Sequence, residues 1–573
     1  MDNQRLLTWG LFLMMAWFTY QTWQQDYRVP PPATETEAEP APAAVDALPT
    51  ADAPPALPEV SAPATETPAA LPSTDPAETD APVISVTTDV FDVKIDTRGG
   101  TIIEATMLGY PVSKENPDLL VQTLSPTAAN YGLLRTGLRG GVVADHTALY
   151  DFAAETYTLG GDDTIVVPLS WVSDEGLRVE KRLTFTRGSY QVDVEQTVRN
   201  GSQAPWTGDF YVQLLRRHFE QERSMFNVES YSFDGPIIYD GESSDKLDRG
   251  DLVKGETYNA SIANAWVASI QSHFLNAIVP VRDVPHAYRV ESANNTMVAS
   301  VVSPKQTVAP GESHTFQTRT FIGPKLQAQL EELDPKLKLT VDYGILTILS
   351  QPMFWLLSLA FSYVANWGVA IILITILIKL VFYKLTESSG RSMAKMRTLQ
   401  PRMQALQERY KDDRQALSQA MMDLYKREKV NPVAGCLPIL VQMPFFLAFY
   451  WVLVESVEMR QAPFALWLTD LSSRDPYFIL PLIMGAAMLI QQKLNPAPTD
   501  PVQARVMQIM PIVFTGFFAF FPSGLVLYWA TNTLLSIAQQ WKINRVVEAE
   551  AKAEKTKGIK SGKGRKNKAP NDD

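Results

Sequence analysis

The sequence predicts a multi-domain membrane protein, with an α-helical membrane core joined to a large antiparallel β-sandwich. Three observations predict this fold class. Long apolar runs lie near the amino terminus and after residue 336, although the mean hydropathy of the whole chain is −0.07. Apolar and polar residues alternate through the middle of the chain. Residues 83–335 hold 21 Lys or Arg and 33 Asp or Glu, whereas residues 336–573 hold 28 and 17, a division typical of domains on opposite sides of a membrane.

Residues 1–28 are predicted to form a signal-anchor transmembrane helix. Leu6–Tyr20 is an uncharged, mostly apolar run near the lower limit of the ~17–25 residues that a spanning helix needs. A cleavable signal peptide is the competing interpretation. Bulky residues such as Trp17 and Trp23 follow the core where a cleavage site would need small ones, so we favour an uncleaved anchor.

Residues 29–82 are predicted to be a disordered tether. They contain 14 prolines and ten acidic residues, with no Lys or Arg. Such a segment buries too little apolar area to offset its ordering entropy, and its like charges repel one another.

Residues 83–335 are predicted to form a periplasmic antiparallel β-sandwich. Apolar residues alternate over 91–95, which is typical of a half-buried strand. They alternate again over 177–185 and 190–198, on either side of an Arg-Gly-Ser turn, which predicts a hairpin. Helical periodicity is missing from the sequence before about Pro324, so we expect one large sandwich.

All five histidines fall in this predicted sandwich, and they leave an enzymatic interpretation open. A periplasmic carbohydrate enzyme would use His and carboxylates as acid and base; the alternative is scattered core and surface histidines. Their spacing fits no metal motif, and a single Cys excludes an intramolecular disulfide, so we predict no enzyme, metal or cofactor. An enzyme should lose its function when much of residues 83–335 is deleted, whereas a membrane-core function should survive substantially. The histidines are His146, His218, His273, His286 and His314.

The apolar second half predicts one interfacial helix and five spans. Residues 336–365 are predicted to form an amphipathic helix that lies in the outer interface of the membrane. Only four residues precede the next apolar run, which leaves little room for a charged loop between two spans. Residues 366–541 form the five-helix core, which with the anchor makes six spanning helices. The five spans are Trp367–Leu385, Ala434–Val457, Phe478–Leu494, Met507–Phe521 and Gly524–Trp541.

Loop charges predict the orientation. Residues 387–430 carry ten basic and six acidic residues, and residues 542–573 carry ten and five. Excess Lys and Arg mark cytoplasmic segments, so both termini are predicted to be cytoplasmic in a multi-pass membrane protein, with the acidic sandwich outside. The basic tail 542–573 is expected to lack regular structure and to bind anionic lipid or RNA, with a pure topology role as the alternative.

Polar residues inside the predicted spans point to a site. Lys379 lies in the second span, where a charge costs ~2.5–3.5 kcal/mol, and Thr375 is on the same helix face. Gln442 lies in the third span, and Asn532, with its polar neighbour Ser536, in the last. These groups should face one another or water, which suggests a hydrated cavity. There are two alternatives to a hydrated cavity. The polar groups could simply form hydrogen bonds between helices, or Lys379 could snorkel to the membrane interface.

Residues 387–430 are predicted to form a cytoplasmic helical hairpin with a basic surface. Asp412-Asp413 can form its turn and cap the second helix. Apolar residues recur there at spacings of three and four, and many are methionines, which suit a surface that accepts varied partners. Ordinary packing of the hairpin is the alternative. The candidate residues are Met393, Met396, Arg397, Met403, Arg409 and Met421.

Four stretches carry a resemblance: SMAKMRTLQPRMQAL, EKVNPVAGCLPILVQMPFF, RQAPFALWLTDLSSRDPYFILPLIMG and FFPSGLVLYWATN. Over roughly residues 340–545 the chain resembles the YidC/Oxa/Alb family of membrane protein insertases, in its Gram-negative form with a periplasmic β-supersandwich. The resemblance implies a positively charged hydrophilic groove that is open to cytoplasm and lipid. Lys379 stands where the family usually has Arg, and Lys384 replaces a usual Pro.

The resemblance also implies a function and further site residues. The function is insertion and chaperoning of nascent membrane proteins, alone or with the Sec translocon; a channel or transporter is the alternative. The other implied partners are membrane lipid and the ribosome, the latter through the basic tail. The implied location is the bacterial inner membrane, with the β-domain in the periplasm. Tyr528 and Trp529 are expected in the groove. A slide for substrate helices is expected at Pro438, Met443, Pro444, Phe446, Phe517 and Phe518.

Overall fold

The computed structural model describes residues 81–141, 143–218, 232–411, 413–428, 430–431, 437–495 and 501–565. These belong to one compact unit, residues 76–573. The predicted anchor 1–28 and nearly all of the tether 29–82 lie outside the described residues.

Twenty strands form the predicted β-sandwich. They are β1 (Val83–Thr87), β2 (Phe91–Asp96), β3 (Thr101–Pro111), β4 (Leu120–Leu124), β5 (Gly132–Arg139), β6 (Asp151–Phe152), β7 (Thr156–Thr158), β8 (Thr164–Val172), β9 (Leu177–Thr186), β10 (Gln191–Asn200), β11 (Trp206–Arg217), β12 (Asp234–Tyr239), β13 (Ser244–Lys246), β14 (Tyr258–Ile262), β15 (Trp266–Gln271), β16 (Phe274–Pro280), β17 (His286–Ala293), β18 (Thr296–Val302), β19 (Gln306–Val308) and β20 (Ser313–Pro324).

The strands make two sheets that face each other. One follows the order β14-β17-β18-β11-β5-β3-β2-β1-β7, with β4 beside β3 and β19 beside β11; the other follows β13-β12-β15-β16-β20-β10-β9-β8-β6. Pairing is antiparallel apart from the short parallel pair β1–β7. The predicted hairpin is β9–β10, with Phe185 opposite Val192. Aromatic rings join the sheets, as where Phe210 stacks on Phe316 at 5.9 Å.

Ten helices accompany the strands in the described ranges. Two belong to the sandwich and its exit: α1 (Arg249–Val253), which the sequence analysis missed, and α2 (Gln327–Leu333). The others are α3 (Thr347–Val364), α4 (Trp367–Val381), α5 (Tyr383–Arg409), α6 (Arg414–Arg427), α7 (Leu437–Glu455), α8 (Ile479–Leu494), α9 (Pro501–Phe518) and α10 (Ser523–Arg565).

Helix α3 has both ends against the same segment of chain, the one between α7 and α8. At its start, the hydroxyls of Tyr343 and Ser456 lie 3.2 Å apart. At its end, Ala365 takes a left-handed conformation, and the Asn366 Nδ2 group donates to the Phe464 carbonyl at 2.9 Å. Asn366 also caps α4 by accepting from the Val369 N–H.

Helix length alone does not reproduce the predicted spans. Among the described residues, Gly344–Val364 is long and apolar enough to cross a membrane, and α4 with α5 would count as a second if taken together. The apolar segments Leu440–Glu455, Ile479–Leu494 and Ala504–Phe518 are shorter. The number of six spans therefore stays a prediction.

Two details of the membrane half correct the sequence analysis. The predicted span Trp367–Leu385 breaks at Phe382, where α5 turns away from α4 by 69° although no Pro is present; the Phe382 ring packs on Phe445 at 5.3 Å. The tail expected to lack regular structure is instead helical as far as Arg565, because residues 546–557 are mostly Ala, Glu, Lys and other good helix formers.

Candidate functional site

Lys379 is buried in the last turn of α4 and points at α10. Its side chain is 9% exposed. The ammonium donates to the Ser536 hydroxyl at 2.6 Å and to the Asn532 side-chain carbonyl at 3.2 Å. It makes no ion pair with a carboxylate among the described residues. Among the described residues, its charge is therefore held by neutral acceptors on α10.

The polar contacts continue to a third helix. Asn532 donates through Nδ2 to Gln442 Oε1 on α7 at 3.2 Å, and the Ser536 hydroxyl donates to the Asn532 backbone carbonyl at 2.7 Å. Asn532 and Ser536 are four residues apart on α10, so they share one face. Both are half-buried, as is Gln442, and an edge of this polar network is accessible.

Thr375 lies on the expected face but serves its own helix. It is 2% exposed, and its hydroxyl donates to the Ile371 carbonyl at 2.7 Å, one turn earlier.

Ser536 makes the shortest contact with Lys379. The sequence showed Ser536 as a polar residue of the last span but did not assign it to the site. Its spacing of four residues from Asn532, which puts both on one helix face, could have indicated that it belongs to the site.

An aromatic cluster lies one helical turn from the polar network, toward the sandwich. Phe446 of α7 and Trp529 of α10 are 4.8 Å apart, and Phe518 of α9 lies 5.4 Å from Trp529. Tyr528 is buried against Phe449 at 4.9 Å, so it faces the helix core rather than the network. The cluster packs α7, α9 and α10 together on that side.

The predicted slide residues are divided by exposure. Met443 and Phe517 are 38% and 55% exposed, whereas Phe518 is 3% exposed. Pro444 lies within α7 and is half-buried. Pro438 is in the first turn of α7, and its side chain lies outside the described residues.

The hairpin is formed by α5 and α6, and its methionines mostly pack inside it. Met403 and Leu424 are buried, and Met396 and Met421 pack against them. This arrangement favours core filling over an open methionine surface. Met393 is half-buried, whereas Arg397 and Arg409 are exposed. Asp413 caps α6 by accepting from the N–H groups of Gln415 and Ala416, as its position predicts.

Helix α5 rests along the carboxyl-terminal part of α10. Arg391 pairs with Glu550 at 3.4 Å, and Gln539 Nε2 donates to the Thr386 hydroxyl at 2.8 Å. A cavity of about 290 Å³ lies between these helices, lined by Ala394, Arg397, Thr398, Pro401, Asn544 and Glu548. The hydrated cavity expected at Lys379 stays a prediction.

Within the described residues, the sandwich histidines belong to no cluster of metal ligands, and His146 and His286 make hydrogen bonds to neighbouring groups. In the described part of the chain, no group of three or more His, Cys, Asp or Glu side chains is arranged to hold a metal. The Nδ1 atom of His146 lies 2.6 Å from the Tyr211 hydroxyl, and burial lowers its pKa to about 4. His286 lies 2.9 Å from the Val284 carbonyl. These contacts are structural.

Contacts between the sandwich and the α7–α8 segment went unnoticed in the sequence. Lys325 and Glu455 form a buried ion pair at 2.9 Å. Glu458 accepts from the Gln327 N–H at 3.1 Å, and burial raises the pKa of Glu458 to about 7. Arg460 donates to the carbonyls of Pro111 and Val112, both at 3.0 Å. The sequence feature that could have indicated these contacts is Glu455, an acidic residue directly at the end of an apolar run.

Comparisons with known proteins agree with this architecture. A family model of the 60Kd inner membrane protein matches residues 359–551, and a model of the YidC periplasmic domain matches residues 83–356. The membrane protein insertase YidC of Thioalkalivibrio sulfidiphilus is 45% identical over 567 residues, covering 96% of this chain and all of the relative. That of Alkalilimnicola ehrlichii is 45% identical over 577 residues, covering both chains completely.

A solved structure described as active YidC insertase with its first transmembrane domain resolved is also similar. It is 18% identical and covers 80% of this chain and 94% of its own, with a TM-score of 0.37. The sequence relatives match in both the sandwich and the helical half, at high identity and over their full lengths. The chain therefore belongs to the YidC family of membrane protein insertases.

Proposed function

We propose that this protein inserts nascent membrane proteins into the bacterial inner membrane through the polar network around Lys379. The observation that carries the proposal is the buried ammonium bound by Ser536 and Asn532, two neutral acceptors. Buried charges in membrane helices usually serve function, because insertion makes them costly. Sequence relatives over the full length are named insertases, which disfavours a transporter or a carbohydrate enzyme.

The network gives a polar substrate segment a partner inside the membrane. An ammonium has three N–H donors, and Lys379 directs two of them to α10. The third donor and the uncompensated charge are available to an acidic or hydrophilic tail that enters from the cytoplasm. Pairing lowers the desolvation cost of that tail, since attraction between charges grows as the local dielectric constant falls.

The apolar helix of the substrate leaves toward lipid along exposed side chains. Met443 of α7 and Phe517 of α9 present apolar surface there. Transfer of apolar area from water releases ~25 cal/mol per Å², which drives the step without covalent chemistry. The membrane potential adds ~2.3 kcal/mol per charge per 100 mV for acidic tails.

The family is one of inner-membrane proteins with a periplasmic domain, and we propose six spans with both termini in the cytoplasm. Helix α3 has both ends at the α7–α8 segment, which supports a helix lying along the outer interface rather than crossing the membrane. The ten basic and six acidic residues of 387–430 support a cytoplasmic hairpin.

Further partners are part of the proposal. The protein would insert its substrates alone or together with the Sec translocon. The ribosome and anionic lipid would contact the basic end of α10, which carries the tail charges away from the membrane core as a helix.

Site-specific crosslinking tests this function. A photoreactive amino acid is placed at Gln442 or Asn532, and at Leu373 as the control, because Leu373 is an exposed residue of α4 outside the network. Ribosome-bound nascent chains with a single span are then presented to the full-length protein in membranes. We expect crosslinks to the substrate from the network positions and few from Leu373. Network variants that crosslink the substrate no better than the Leu373 variant, or wild-type protein that fails to insert the substrate, would contradict the proposal.

A further inference from the structure

The junction between sandwich and membrane helices contains a buried ion pair. Lys325 follows the last residue of β20, and Glu455 is the last residue of α7. Their side chains are 1% and 7% exposed, and Nζ donates to Oε2 at 2.9 Å. The other carboxylate oxygen accepts from the Ser232 hydroxyl at 3.1 Å, and the Lys325 backbone N–H donates to the His273 carbonyl at 2.8 Å. The pair thus joins the end of β20, a central strand of its sheet, to the end of α7.

Further polar contacts fix the same junction. Gln327 donates through Nε2 to the Tyr343 hydroxyl at 2.7 Å, and that hydroxyl lies 3.2 Å from Ser456 Oγ. The Gln327 backbone N–H reaches Glu458. The next residues along the chain, around Arg460, bind the end of β3. The end of α7 is therefore held from two sides of the sandwich.

The same helix contributes to the site. Gln442 lies 13 residues before Glu455, roughly 20 Å along the helix axis, and accepts from Asn532. Phe446 lies between these two positions and packs on Trp529. A shift or rotation of the outer end of α7 would therefore move Gln442 relative to α10. A buried charge without its partner is strongly unfavourable, so the ion pair resists such a shift.

We propose that Lys325 is a positioning residue: through Glu455 it fixes the position of α7 against α10, and so keeps Gln442 in contact with Asn532. The sandwich then has a role in the membrane step, because it supplies the partner that holds this helix. The inference rests on the proposed function of the network.

The experiment uses the full chain in proteoliposomes. Variants are Lys325→Met, Glu455→Gln, the charge exchange Lys325→Glu with Glu455→Lys, and Lys325→Arg. Lys338→Met is the matched control, because Lys338 pairs with Glu331 in the same segment but both side chains are exposed. Insertion of an acidic-tailed single-span substrate is measured. In parallel, spin labels at Leu440 and Leu534, in a Cys436→Ser background, report the distance between α7 and α10.

Both neutral variants should insert at least fivefold less substrate and broaden the distance distribution. Lys325→Arg should restore both readouts, the charge exchange should restore them at least in part, and Lys338→Met should match wild type. Neutral variants that insert normally, or that lose insertion with an unchanged distance, would overturn the inference. A Lys325→Arg protein that resists proteolysis like wild type but fails to insert would also overturn it. Failure of the wild type to insert would instead count against the proposed function.

Discussion

The Lys379 ammonium donates to the Ser536 hydroxyl at 2.6 Å, across 157 residues of chain. The contact ties the last turn of α4 to the amino-terminal third of α10. It also explains how a lysine can occupy a membrane helix without a carboxylate partner among the described residues. A neutral acceptor stabilises the charge without cancelling it, so the charge stays available to a substrate.

Replacing the cation should reduce insertion of acidic-tailed substrates. Lys379→Ala removes the charge, and we expect about tenfold less insertion, which corresponds to ~1.4 kcal/mol of lost transition-state stabilisation. Lys379→Arg should retain most activity. Insertion into proteoliposomes, scored by protease protection of the tail, measures this. Lys384→Ala at the inner helix end is the control. Equal insertion by wild type and both Lys379 variants would remove the charged-groove mechanism for these substrates.

The groups that accept hydrogen bonds from Lys379 should affect insertion only by holding the Lys379 ammonium in place. Ser536→Ala deletes the shorter of the two contacts, and insertion should fall severalfold because the ammonium loses its orientation. The double variant with Lys379→Ala should be no worse than Lys379→Ala alone, since residues in direct contact are not additive. The same insertion assay gives the coupling energy. Independent, additive losses would show that Ser536 acts elsewhere.

The sandwich should lose stability in mild acid. Burial, with a smaller effect of Arg135, lowers the pKa of His146 from 6.5 to about 4. The unfolded chain therefore binds this proton more readily than the folded one. The stabilisation is complete above about pH 6.5 and is lost as the pH falls toward 4, by at most ~1.4 kcal/mol per pH unit. Thermal unfolding followed by β-sheet circular dichroism should show a smaller pH slope for His146→Asn. Identical slopes would contradict the assignment.

Gly368 should tolerate no side chain. It lies at the start of α4, and a Cβ there would come within 2.1 Å of the Phe464 ring. Gly368→Ala should therefore destabilise the helical half by about 1–3 kcal/mol, the usual cost of overpacking. Gly516→Ala is the matched control, because nothing lies within 4 Å of its Cβ position. Thermal unfolding in detergent compares the two, and equal midpoints would contradict the predicted crowding.

The interpretations that depended on local pattern correspond closely to the structure. Alternation over 177–198 gave the β9–β10 hairpin, and the Asp413 cap gave the start of α6. Both follow from neighbouring residues, because strand alternation and helix capping are short-range effects. The spacing of Thr375 and Lys379 also placed both on one face. It did not reveal that Thr375 bonds to its own backbone.

The interpretations that failed depended on how elements meet. The break at Phe382 and the helical continuation of α10 to Arg565 were both missed, since the break has no Pro and the tail has good helix formers among its charges. Sequence spacing alone could not decide whether the hairpin methionines lie on the surface of the hairpin or in its core. In the structure, contact between α5 and α6 buries Met403, and Met421 packs against the buried residues.

The sequence by itself determined the two-part architecture, the family and the presence of a cation in a membrane helix, because composition, charge asymmetry and short motifs are local properties of the chain. The tertiary structure alone decided what that cation touches and how the sandwich is attached. Ser536 is bound to Lys379, and Lys325 to Glu455, over separations of 157 and 130 residues. No local pattern specifies such pairs, since the acceptor is chosen by the packing of whole helices and sheets.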